Sequence, residues 1–255
     1  MADLGLAAVD PDRLVDGTTL AWAHLLHVAG QLEPGNDALR AALPDLLDAD
    51  PPEDADPLAE LTRTHQAISQ ELSELLTDPE LPRWRTPVPS PVGTLPRVTY
   101  LHASAYRATV ATLDLLGDPE AADDAALDAG VVAFVDVLGA LCTRNSSKMR
   151  VAVRTERLDV SLDVDESGWR LGEDCDGLPS VQAEAAALLQ ITSGRRQDVV
   201  ALVAAGRLRL NDARGLLPLA QVVANTEGIP GTAAMRPALA MMQGANRLTG
   251  WLRRG

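Results

Sequence analysis

The stretch LPRVTYLHASAYRATVATLDLL, Leu95–Leu116, decides how the rest of this chain is read. Its only proline stands at the start, where a helix tolerates one, and Gly117 follows its end as a stop signal. Val98, Leu101, Ala105, Thr109 and Leu116 recur at helical spacing and share one face. Arg107 and Asp114 fall nearly opposite, while His102 sits on the apolar side, one turn before Tyr106. Two roles are open to Arg107. It is a fixed guanidinium that holds a carboxylate or oxyanion through paired hydrogen bonds, or a residue of a solvated face near Asp114.

Working outward, Asp16-Gly17-Thr18-Thr19 offers capping side chains for a helix that runs to about Leu32 and stops at Glu33-Pro34-Gly35. A short helix is expected over Asn36–Leu47, then the acidic linker DADPPEDADP, then a helix over Leu58–Leu76. Pro79–Pro96 holds six prolines and Gly93, which predicts an extended connection. A final helix is expected over Glu120–Cys142.

With TLAWAHLLHVAG (Thr19–Gly30), the Leu95–Leu116 helix resembles the bundle shared by DinB-like proteins and mycothiol-dependent maleylpyruvate isomerases. In that family a His followed by an apolar residue and Ala-Gly, together with Glu-x-x-x-His-x-x-Asp-Leu on a later helix, holds a divalent metal. His27 matches the first ligand and Asp114-Leu115 the trailing pair. Arg107 stands at the Glu position and Ala111 at the second His, so the resemblance implies the scaffold without the metal. His27, read as lying in an apolar helix interior, is the candidate for proton transfer, with His102 as a second catalytic candidate; a purely structural histidine is the alternative for each. His24 lies one turn before His27, and His65, within RTHQ, reads as exposed.

Beyond Thr143 the pattern changes. Met149, Val151, Val153, then Leu158, Val160, Leu162 and Val164 alternate with polar residues, which predicts a β-meander with one wet face, continued by Trp169–Leu171. Arg150, Arg154 and Arg157 lie on the polar face, either pairing across strands with Asp159 and Asp163 or reaching a substrate. The segment Val181–Val223, with its Ser193-Gly194-Arg195-Arg196 turn and the strand Gly206–Leu210, resembles the end of a sterol-carrier-protein-like domain. Together the resemblances imply an α+β chain: a DinB-like helical bundle over 1–144, then a small sterol-carrier-like α+β domain over 145–255, with a cavity between them. The tail 228–255 lies outside both patterns, and its Met235, Leu239, Met242 and Leu248 suit core packing or docking on a second copy, which leaves a homodimer open.

Composition narrows the function classes. Hydrophobic residues make up 46% and aromatics only 3%, so the core must be built from Ala, Leu and Val. A net charge of −14 argues against a nucleic-acid partner. The longest apolar run, Ala125–Leu141, is broken by Asp128 and Asp136, so no membrane span is expected, and the acidic N-terminal stretch does not read as a signal peptide. A cytoplasmic protein is the expectation. The bias for arginine over a single lysine, Lys148, fits a GC-rich, actinobacterial, mycothiol-making host. Cys142 reads as a buried hydrophobe and Cys175, between Asp174 and Asp176, as a poor nucleophile. The leading expectation is a metal-independent relative of the mycothiol-dependent isomerases and transferases that acts on a small acidic or thiol-linked metabolite. It would need no cofactor beyond, at most, mycothiol. The alternatives are a non-catalytic small-molecule-binding or regulatory protein and a carrier of hydrophobic ligands. Candidate catalytic residues are His27 and His102; candidate ligand contacts are Tyr106, Arg107, Asp114, Arg150 and Arg154.

Overall fold

The computed structural model describes residues 10–33, 36–47, 55–196 and 198–226. The chain begins with helices α1 (Pro11–Ala29), α2 (Asp37–Leu47) and α3 (Pro57–Thr77), followed by the short strands β1 (Pro87–Val88) and β2 (Leu95–Pro96). Helices α4 (Arg97–Leu116) and α5 (Asp124–Arg144) complete the helical part. Then come β3 (Met149–Arg154), β4 (Asp159–Asp165), β5 (Gly168–Gly172), β6 (Ser180–Ala183), α6 (Ala185–Thr192), α7 (Val199–Ala204), β7 (Leu208–Asn211) and α8 (Leu217–Asn225). The architecture is α+β, a helical part followed by a smaller unit built on a sheet. The proposed tail, 228–255, and residues 48–54 of the acidic linker lie outside the described residues.

Local chemistry sets the helix ends. Asp10 caps α1 by accepting the Asp12 N–H, with Pro11 at the first helical position, so the helix starts one and a half turns before the expected Asp16. Asp56 and Pro57 repeat that device at α3, and Gly117 closes α4 in the left-handed conformation. Within the proline-rich connection, β1 and β2 form a small hairpin, so the segment is folded back on itself rather than extended throughout.

The scarcity of aromatics is met by close helix approach. Ala21, Ala105, Ala108, Ala111 and Ala133 form much of one buried cluster around Trp22. A Cβ on Gly130 would come within 2.9 Å of Thr109, so α4 and α5 can meet this closely only with glycine there. By length and composition α5 is apolar enough to cross a membrane, yet most of it is buried inside the fold. It is the central core helix.

The sheet has the order β5-β4-β3-β6-β7. The meander β3-β4-β5 is antiparallel as expected, and β6 pairs parallel to β3. One face of the meander packs on α5: Val131, Phe134 and Val135 share a core with Val151, Val160, Leu162 and Trp169. The other face is wet only at its edges, because Ala152 and Ser161 at its centre are buried.

Candidate functional site

A cavity of about 660 Å³ opens between α2, α4 and α5, the β1–β2 turn, and the Thr192–Arg195 turn that follows α6. Its size is in the range of small-molecule sites. The turn closing one side is fixed by paired backbone bonds between Ser90 and Gly93, where a positive φ of 94° needs glycine, and by the Arg144 guanidinium, which donates to the Val92 carbonyl at 2.9 Å. Proline-rich sequence thus becomes a rigid wall.

Helix α4 supplies the polar end. Tyr100, Tyr106, Arg107, Val110 and Ala111 all line the cavity. The Arg107 guanidinium lies over the Tyr100 ring, 5.2 Å from its centroid. Tyr106 stacks on Phe134 of α5 at 5.6 Å between centroids, and its hydroxyl is 3.2 Å from Thr192 Oγ1. Burial pushes the Tyr106 hydroxyl up to about 12, so at neutral pH it is a hydrogen-bonding group and not a base.

Arg195 joins the two parts of the chain at the cavity's edge. It donates to Asp45 of α2 at 2.9 Å, to Asp114 of α4 at 3.1 Å and to the Ser193 carbonyl at 3.1 Å. Burial opposes its charge, and the two carboxylates more than offset that, holding its pKa above the usual arginine value.

The structure sorts the candidates into three places. Tyr106 and Arg107 line the cavity, so Arg107 belongs to a concave site rather than to a simple solvated face. Asp114 is nearby but committed to Arg195. Arg150 and Arg154 are elsewhere: Arg150 lies opposite Asp163 at 3.5 Å, while Arg154 binds Asp159 at 2.8 Å and the Cys175 carbonyl at 2.7 Å. His27, expected in an apolar interior, is instead exposed, with its Nε2 2.9 Å from Gln31 Nε2 and outside the cavity lining. The α1 core face runs through Leu14, Thr18, Ala21, Trp22, Leu25 and Val28, which turns His27 outward. His102 is 2% exposed and also outside the lining, with Nδ1 3.1 Å from Asp136. Asp136 also accepts the Trp169 indole N–H at 2.7 Å. His65, expected to be exposed, is half-buried and stacks on Trp22 at 6.2 Å.

Neither cysteine is part of the site. Burial pushes the Cys142 thiol up to about 12, and Cys175 is raised first by burial and then by Asp159. Residues the sequence left unassigned are Tyr100, Phe134, Thr192 and Arg195. For Phe134 and Tyr100 the one sequence-level signal is rarity, since the chain has a single phenylalanine and two tyrosines.

A divalent metal does not fit the residues present. Arg107 and Ala111 occupy two of the three positions implied by the family resemblance, and neither a guanidinium nor a methyl group offers a lone pair. The third, His27, faces solvent on α1, and among the described residues no three of His, Cys, Asp or Glu converge.

No family model and no curated sequence matches the chain. Among solved structures, a histidine-to-alanine mutant of the mycothiol-dependent maleylpyruvate isomerase is similar at a TM-score of 0.37 and 14% identity, over 74% of this chain and 91% of that one.

Proposed function

We propose that this protein binds a small organic anion in the cavity between α4, α5 and the Thr192–Arg195 turn, and that it does so without performing chemistry on it. The observation that carries this reading is the cavity's composition. Its walls are mainly apolar, with Tyr106, Arg107, Thr192, Ser193 and Arg195 among the polar residues that line it. An apolar enclosure lowers the local dielectric and strengthens the attraction between a guanidinium and a carboxylate.

Among the described residues the same lining holds no histidine and no cysteine, and one carboxylate, Asp45, which is bound to Arg195. A proton-transfer mechanism needs a group that titrates near neutrality within reach of the ligand. The two candidate bases fall outside: His27 faces solvent and His102 is sealed against Asp136. This favours a binding or regulatory protein over the isomerase or thiol-transferase reading.

The test is calorimetric titration of the purified protein with a panel of small carboxylates and their alcohol counterparts. Acids should bind and alcohols should not, and Arg107→Ala should weaken the acids by about 1.5–3 kcal/mol, the range for a hydrogen bond to a charged group. Equal affinity for acids and alcohols would overturn the anion reading.

A further inference from the structure

The chain spends its aromatic residues unevenly. It has two tyrosines, one phenylalanine and four tryptophans in 255 residues. Trp22, Trp84 and Trp169 are each at most 2% exposed and serve packing. Both tyrosines and the only phenylalanine line this cavity, the tyrosines from α4 with Arg107 and the phenylalanine from α5.

Phe134 belongs to the core shared with the sheet, and Tyr100 and Tyr106 pack against that core. All three residues nevertheless line the cavity as well. The rings are also held in fixed attitudes. Tyr106 is gripped between Phe134 and Thr192, and Tyr100 lies beneath the Arg107 guanidinium. Fixed rings lose little freedom when a ligand arrives, and they prefer flat partners that stack offset or edge-on.

Resting on the anion-binding reading above, we infer that the ligand is a planar aromatic carboxylate, with its acid group at Arg107 and its ring system against Tyr100, Tyr106 and Phe134. A volume of about 660 Å³ leaves room for more than one fused ring. The Arg107 guanidinium, 5.2 Å from the Tyr100 ring centroid, puts the carboxylate partner and an aromatic contact side by side.

Three probes separate the claims: 2-naphthoate, its decahydro counterpart, and 2-naphthylmethanol. The saturated acid has the same skeleton, the same charge and more apolar surface, so burial alone would make it the tighter binder. The inference predicts the reverse, with 2-naphthoate favoured by about 2- to 13-fold, the usual worth of aromatic pairing beyond area. That ratio should fall to one or below in Tyr100→Leu, whose side chain is half-buried at the edge of the core and is replaced by another apolar group. Phe134→Leu gives a second, independent variant, with circular dichroism confirming that each is folded. Arg107→Gln should weaken both acids alike and leave the alcohol unchanged. A wild-type protein that binds the decahydro acid as tightly or more tightly overturns the aromatic inference and leaves anion binding standing. So does a preference for naphthoate that survives in both ring variants. If neither acid binds better than the alcohol, the anion reading itself fails, and the aromatic inference falls with it.

Discussion

His102 and Arg107 sit a little more than one turn apart on α4 and face different surroundings. His102 lies in the core, where Asp136 links it to Trp169 and so ties α4, α5 and β5 together. Arg107 lies half-buried on the cavity wall over Tyr100. The histidine has the more versatile chemistry and the poorer access. The arginine offers only a planar fork of donors, yet it has the access. On one helix, then, the group best suited to proton transfer serves packing, and the group left at the cavity is suited to holding charge.

The largest effect expected from breaking this contrast is on the core side. Asp136→Ala leaves the Trp169 indole N–H and His102 buried without their acceptor, and should cost about 2–6 kcal/mol in chemical denaturation, at about 1–3 for each buried polar group left unsatisfied. A loss below about 1 kcal/mol would mean that water or another group already satisfies these atoms.

Next comes Gly139→Ala. A Cβ there would lie 2.2 Å from Trp169, so the indole must move off Asp136. A destabilisation of about 1–3 kcal/mol is expected, the range for overpacking, with carboxylate binding at the cavity essentially retained.

Arg195 sharpens the comparison from the cavity side. Its side chain is 32% exposed, and its partners Asp45 and Asp114 are 69% and 36% exposed, so solvent screens much of the attraction. Arg195→Ala should therefore cost no more than about 1 kcal/mol of stability in thermal unfolding. A far larger loss would show that this clamp, and not the shared apolar core, holds α2 and α4 to the second half of the chain.

The smallest effect belongs to His27. Replacing it with asparagine should change neither unfolding midpoint nor carboxylate affinity by more than about 0.5 kcal/mol, as for an ordinary surface position. A large fall in ligand affinity measured by calorimetry would return His27 to the site.

How much of this was legible in the sequence follows from which forces are local. Helical periodicity located α4 and α5, and strict alternation located β3 and β4, because both patterns are written within a few residues. The start of α1 was legible too, in Asp10-Pro11, but the later Asp16 cluster offered a competing cap. Strand β6 was not: Ser180–Ala183 is short, and its parallel partner β3 is distant in sequence. The histidines show the same limit. His65 stacks on a tryptophan from another helix, and His102 finds its acceptor on α5, contacts that no single-helix pattern records. Arg107 was singled out by its departure from a family motif. Arg195 was noted only as part of a turn, because its carboxylate partners come from α2 and α4.

The most direct measurement is a crystal structure of the protein with 2-naphthoate bound. The carboxylate should lie about 2.7–2.9 Å from the Arg107 guanidinium, the usual length of a charge-assisted bond, with the rings against Tyr100 and Phe134. Naphthoate bound elsewhere, with Arg107 turned away from it, would contradict the account.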